Sequence, residues 1–160
     1  MKRRTVWVLA LLLLASGCGQ ADGGGAETAE VSLSALYAGM AEACGWEDGY
    51  MTDVEGELLE SYYPGLAGVP AGQLLAKVPA MSSDVNEIVL FQGETEEDAE
   101  EAAGILQARV DAQVNGGAWY PETQAAWEKA EVLRQGTYAA LIASGEFQES
   151  LEEQFNRQFS

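Results

Sequence analysis

The stretch Glu87-Ile88-Val89-Leu90-Phe91-Gln92 decides the fold of this chain. It places four large apolar residues in a row between two polar ones. A short, continuous apolar run rich in β-branched and aromatic residues is typical of a buried strand. We therefore predict a core strand over residues 87–92 and interpret the neighbouring segments relative to it.

Two hairpins are predicted around this strand. Residues 73–81 are rich in apolar side chains and indicate a partner strand, in which Pro79 favours an edge position or a bulge. The Ser-Ser-Asp sequence at residues 82–84 is typical of a turn. Further along the chain, residues 130–134 and 137–143 predict a second pair of strands, with the turn at Gln135-Gly136.

Apolar residues recur at steps of three and four in the segments between the strands, which predicts helices. The longest helix begins at Thr95, where Asp98 occupies the third helical position of a capping box. The triplet Asn115-Gly116-Gly117 ends it. The predicted helical segments are residues 33–44, 57–63, 95–114, 121–127 and 147–155.

The order of these elements predicts an α+β fold. We expect a four-stranded antiparallel sheet, made of the two hairpins, with the helices packed on one face. Residues 46–55 carry no periodic pattern and are expected to be irregular. Residues 31–160 are expected to form a single globular domain, a size common for one hydrophobic core.

Residues 1–17 are predicted to be a lipoprotein signal peptide. Lys2, Arg3 and Arg4 precede an apolar run over residues 6–15, which is far shorter than the roughly 20 residues that span a membrane. The run leads into Leu13-Leu14-Ala15-Ser16-Gly17-Cys18, which resembles a bacterial lipobox. Cleavage after Gly17 would leave Cys18 as the lipid-bearing first residue, whereas ordinary secretory cleavage would release the chain in free form.

Residues 18–30 begin with the lipidated cysteine and are expected to form a flexible tether, because Gly, Ala and acidic residues dominate there. The expected location of the domain is therefore extracytoplasmic, anchored to the cell membrane by the lipid on Cys18. Cys44 is then the one cysteine left in the mature chain. Its position among apolar residues at helical spacing predicts a buried structural thiol.

The chain is strongly acidic, with 26 acidic residues against eight basic ones and a formal net charge of −18. Cleavage after Gly17 would remove three of the basic residues. Nucleic acid is excluded as a partner, because binding of the phosphate backbone requires a basic face. Anionic lipid headgroups should also repel the domain, so the membrane is expected to hold it through the lipid alone.

The sequence contains no histidine. This excludes the Ser-His-Asp triad, Cys-His dyads and HExxH zinc sites. The acidic residues lack the spacing of a calcium-binding loop, and no glycine-rich phosphate motif is present. We therefore expect no cofactor, no metal and no catalytic residue.

The pair Trp119-Tyr120, directly before Pro121, is the candidate ligand groove. Adjacent aromatic side chains at the start of a helix can stack on a sugar or a peptide. Anchoring in the hydrophobic core is the favoured interpretation, because most large aromatic residues serve that role.

Several short motifs resemble the DUF4358 family of bacterial lipoproteins of unknown function, found chiefly in clostridial-type Firmicutes. They are Val78-Pro79-Ala80-Met81-Ser82-Ser83 leading into Glu87-Ile88-Val89, the acidic long helix, Tyr120-Pro121, and Gly136-Thr137-Tyr138 entering an apolar strand. The resemblance covers about residues 31–145 and departs from the family pattern at Ala80. It implies a protein class without implying an activity, because the family has no assigned catalytic residues.

These features favour a lipid-anchored, non-catalytic binding or interaction domain. A cell-wall or envelope protein is the expected kind of partner. Two alternatives stay open: a carboxylate-dependent cell-wall hydrolase and an accessory lipoprotein of a membrane transporter.

The anchor is tested by Cys18→Ser. Since the lipid is attached to the cysteine sulfur, the variant should be released from the membrane or accumulate as an uncleaved precursor. Fractionation of cells and immunoblotting measure this. A variant that stays processed and membrane-bound at the wild-type level would contradict the lipoprotein prediction.

Overall fold

The computed structural model describes residues 30–81 and 83–160 of the chain. The predicted signal peptide, the lipidation site Cys18 and the tether up to residue 29 lie outside the described residues. The strands are β1 (Met51–Asp53), β2 (Ala71–Pro79), β3 (Asn86–Gly93), β4 (Glu131–Gln135) and β5 (Tyr138–Ser144). The α-helices are α1 (Leu33–Cys44), α2 (Gly56–Tyr62), α3 (Glu96–Ala112), α4 (Pro121–Trp127) and α5 (Gln148–Arg157).

The strands form one antiparallel sheet in the order β1-β2-β3-β5-β4. Both predicted hairpins are present, and the pairing of β3 with β5, which sets Leu90 opposite Ala140, joins them. The predicted number of four strands is wrong, because β1 adds a fifth beside β2. β1 has three residues and therefore no readable periodicity; the exposed edge of β2 supplies its hydrogen-bonding partners.

Helices cover both faces of the sheet, so the prediction of helices on one face is also wrong. On one face, Val89 and Phe91 pack in a core that includes residues of α2, α3 and α4. On the other face, Ile88 and Leu90 pack in a core that includes residues of α1 and α5. Alternate residues of a strand point to opposite faces. A strand that is apolar at every position therefore needs cover on both sides.

The long helix α3 begins with the predicted capping box. The Asp98 amide donates to Thr95 Oγ1 at 3.2 Å, and the Thr95 amide donates to Asp98 Oδ2 at 2.8 Å. After α3, a single π-helical turn, Gln113–Gly117, carries the chain away from the helix axis. Gly116 adopts a φ of +125°, which residues with a side chain rarely reach.

No helix within the described part of the chain is long and apolar enough to cross a membrane.

The burial of the central strand β3 predicts how much stability is lost when its side chains are shortened to alanine. Ile88→Ala and Leu90→Ala should each lower the free energy of unfolding by about 2–5 kcal/mol, because both side chains are fully buried on the α1–α5 face. Leu58→Ala, at an exposed position of α2, is the control and should change it by less than about 0.5 kcal/mol. Urea titration measures all three variants. Equal costs at residues 58, 88 and 90 would contradict the central position of β3.

Candidate functional site

Two neighbouring cavities open at the end of the sheet where β2 ends and β3 begins. The first, about 830 Å³, lies between the α1–β1 loop, the β2–β3 connection, α4 and the β5–α5 loop. The second, about 430 Å³, lies between the end of α3, the loop before α4 and the start of β3. Both are lined by Asp84, Val85, Asn86 and Thr123, and we call the two together the end groove.

A polar network forms the wall that the two cavities share. Asn86 Nδ2 donates to the Tyr50 hydroxyl at 2.7 Å, and that hydroxyl donates to Asp84 Oδ2 at 3.2 Å. On the inner side, Ser144 Oγ donates to Asn86 Oδ1 at 2.7 Å. Asn86 and Ser144 are buried. Because the two buried members, Asn86 and Ser144, are both hydrogen-bonded, the inner part of this wall is held in one arrangement and is pre-formed.

A buried ion pair forms part of the lining of the second cavity. Arg109 donates from Nε to Glu87 Oε1 at 2.9 Å and from Nη2 to Glu87 Oε2 at 2.8 Å. The Tyr63 hydroxyl also donates to Glu87 Oε1, at 2.7 Å. The guanidinium carbon lies 4.5 Å from the ring centroid of Tyr62 and 5.3 Å from that of Trp127. Arg109 is thus held by a bidentate carboxylate and by two aromatic rings.

Arg109 keeps its positive charge and Tyr63 keeps its proton at neutral pH. Burial by itself lowers the pKa of Arg109, but the hydrogen bonds and charge of Glu87 outweigh burial and raise it. Burial, reinforced by the neighbouring Glu87 carboxylate, also raises the pKa of the Tyr63 hydroxyl, which therefore stays a neutral donor. Since Glu87 accepts three hydrogen bonds, its carboxylate serves as a structural clamp between the sheet and the helices.

Sequence reasoning missed this ion pair. Glu87 and Arg109 are 22 residues apart, and no local pattern relates them. The available signal was weak: Arg109 directly precedes Val110 of the buried stripe of α3, and Glu87 begins the most apolar strand. Charged residues at such positions are rarely buried unless they are paired.

Trp119 and Tyr120 lie on the outer surface, which contradicts the favoured interpretation that they anchor the core. Their exposed fractions are 87% and 72%, and both residues line the second cavity. The loop after the Gly116 turn carries them outward, and the buried aromatic position near α4 belongs to Trp127. Met81, 71% exposed, lines the first cavity. These three side chains are what we call the rim of the end groove.

Cys44 lies on the lining of the first cavity and packs against the core on the α1–α5 face, but it is only half-buried, so the predicted burial of its thiol is partial. It is the last residue of α1, which Gly45 ends in the left-handed conformation. Burial raises the pKa of the Cys44 thiol to about 11. The sulfur is therefore protonated at neutral pH and is a poor nucleophile.

Metal-ligating side chains are scattered across the described residues. Within residues 30–81 and 83–160, no group of three or more of them is arranged to hold a metal ion.

The structure defines a class of protein: an α+β domain with a five-stranded antiparallel sheet, helices on both faces and an open groove at one end. The chain belongs to DUF4358, described as a domain of unknown function, whose family model matches residues 46–144. This confirms the resemblance to this family over residues 46–144, a shorter range than the predicted 31–145. The match extends from the loop before β1 to the end of β5 and leaves α1 and α5 outside. Neither curated proteins nor solved structures give a significant match to the chain.

Arg109→Ala tests the clamp. The substitution leaves the Glu87 carboxylate buried without its cationic partner, and we expect the free energy of unfolding to fall by about 3–5 kcal/mol. Arg134→Ala, which breaks an exposed ion pair with Glu100, is the matched control and should cost at most about 1 kcal/mol. Chemical denaturation measures both variants. Similar costs would show that the buried pair does not organise the fold.

Proposed function

We propose that the protein is a lipid-anchored, extracytoplasmic binding domain that catalyses no reaction and engages its partner through the end groove. The observation that carries the proposal is the rim, where Met81, Trp119 and Tyr120 are exposed next to a pre-formed wall. A pre-formed groove loses little conformational entropy on binding, which favours affinity.

The two aromatic rings of the rim offer apolar surface that a partner can bury. Burial of a large apolar side chain contributes roughly 1.5–3 kcal/mol of favourable free energy. In the free domain Trp119 and Tyr120 are exposed and lack most of this contribution. Tryptophan and tyrosine are the residues that most often dominate binding energy at protein interfaces. Because the two are adjacent in sequence and line one cavity, a single partner can cover both.

The position of the N-terminal segment supports a groove that faces away from the membrane. The Val31 amide donates to the Tyr138 hydroxyl at 3.0 Å, and the Leu33 amide donates to Gln73 Oε1 at 3.0 Å. Tyr138 begins β5 and Gln73 lies near the start of β2, whereas the groove lies where these strands end. Six residues of β2 separate the two ends, about 20 Å at the usual rise per residue. The point where a tether from Cys18 would join the domain therefore lies opposite the groove.

The absence of catalysis is proposed on chemical grounds. The chain has no histidine, and the most buried carboxylate of the groove, Glu87, is engaged by three donors. A general acid or base needs a free proton-transfer position within reach of a substrate. The Glu87 carboxylate offers none while Arg109 and Tyr63 occupy it.

The test is the double substitution Trp119→Ala/Tyr120→Ala in the full-length chain. Crosslinking on intact cells, followed by quantitative mass spectrometry, should show a loss of envelope-protein adducts of at least about tenfold, because the two rings together contribute about 2 kcal/mol or more when a partner covers them. The melting temperature should stay within about 2 °C, since both side chains are exposed.

Leu58→Ala is the control, because Leu58 is an exposed apolar residue that lines neither cavity. Adducts that survive the double substitution would contradict the proposed groove. Release of soluble cell-wall fragments by the purified protein, abolished by one Asp or Glu substitution, would replace the proposal with the hydrolase alternative.

A further inference from the structure

We infer that the occupant of the end groove is a basic polypeptide segment that carries at least one large apolar side chain. This inference rests on the proposed binding function and specifies the chemistry of the partner. Three observations support it: the shape of the groove, the sign of its charge and the kind of apolar side chains along it.

The shape favours a chain over a compact molecule. The two cavities, about 830 and 430 Å³, are open to solvent and meet at Asp84, Val85, Asn86 and Thr123. Sites for small molecules are concave and surround most of the ligand surface. A groove that continues past a shared wall instead suits an extended segment that contacts both cavities in turn.

The negative charge of the groove favours a positively charged occupant. Five carboxylates line the first cavity: Glu47, Asp48, Asp84, Glu122 and Glu146. Its lining, taken over the described residues, contains no Lys or Arg, and Arg109 in the second cavity is already neutralised by Glu87. The carboxylates act together on Tyr50: burial raises its pKa and its hydrogen bond from Asn86 opposes this, but Asp84 and Glu146 raise it further. Concave surfaces of one sign attract partners of the opposite sign.

The apolar side chains favour a polypeptide as the source of that cation. Trp46, whose ring centroid lies 5.6 Å from that of Tyr50 and 6.2 Å from that of Phe147, forms an aromatic lining with them in the first cavity. Tyrosine, tryptophan and methionine, the residue types of the rim, are enriched at protein interfaces. Lysine and arginine side chains pack their cationic groups against such rings.

Other occupants match fewer of these features. A neutral sugar could stack on the rings but would leave the five carboxylates without a counter-charge. Anionic lipids and anionic polymers would be repelled. A second copy of the chain, with its formal charge of −18, would carry the same sign of charge to the groove.

The experiment uses the full-length chain in its native host. Tyr120 is replaced by the photoreactive amino acid p-benzoylphenylalanine, and a second strain carries the same replacement at Leu58, outside the groove. After irradiation, mass spectrometry identifies the partner peptide attached at residue 120. We expect this peptide to be rich in Lys or Arg, to carry an apolar side chain, and to be missing from the strain labelled at residue 58.

Two triple variants separate groove charge from overall charge. Glu47→Gln/Glu122→Gln/Glu146→Gln removes three carboxylates of the groove, and Glu94→Gln/Glu97→Gln/Glu101→Gln removes three exposed ones at the opposite end of the domain. Both lower the negative charge equally. The groove variant should lower the crosslinking yield at residue 120 by about fivefold or more, and the control variant by less than about twofold.

The outcomes distinguish the two proposals. An adduct at residue 120 with a neutral or acidic peptide, or with a glycan, would overturn the basic-segment inference and leave the groove as a binding site. Equal losses of yield in the two triple variants would also overturn it, because general acidity would then explain the attraction. If no adduct forms specifically at residue 120, this absence would overturn the proposed function itself.

Discussion

The ion pair between Glu87 and Arg109 is the interaction on which the arrangement of this domain depends. It joins β3 to α3, and the aromatic rings around the guanidinium add Tyr62 of α2 and Trp127 of α4. A buried ion pair contributes little net stability compared with apolar packing, but breaking it is costly. Its effect is therefore on geometry: it sets where the C-terminal part of α3 lies against the sheet, and hence where the following turn and loop can lie.

The start of β3 connects this interaction to the groove. Asn86 and Glu87 are consecutive, so their side chains point to opposite faces of the sheet. Glu87 lies on the face covered by α3 and α4, and Asn86 lies on the face covered by α1 and α5, with Tyr50 and Ser144. The groove thus passes around the end of the sheet. One strand end, fixed by hydrogen bonds on both faces, gives the groove a rigid centre between more exposed loops.

The parts of the fold that the sequence predicted are those with local signals. The capping box at Thr95, the hairpin turn at Gly136 and the apolar strand β3 each depend on residues that are close in sequence. Three other features depend on partners far along the chain, which the periodicity of a local segment does not reveal. They are the strand β1, the helices on the second face of the sheet, and the clamp formed by Glu87 and Arg109. Trp119 and Trp127 show the same limit, because Trp119 precedes the short helix α4, Trp127 ends it, and only tertiary packing decides which one is buried.

Under the proposed lipid anchoring, the charge of the domain and the direction of its chain act together. Anionic headgroups would repel a chain with 26 acidic residues, and this repulsion is screened beyond about 8 Å at physiological salt. With the proposed anchor at Cys18, a tether that enters beside Val31 would keep the opposite end of the sheet toward the lipid, and the end groove would point outward. The negative charge that the membrane surface repels would then also attract a basic segment to the groove, at the end of the domain that faces away from the membrane. Orientation and selectivity would therefore follow from one property of the sequence, its excess of acidic residues.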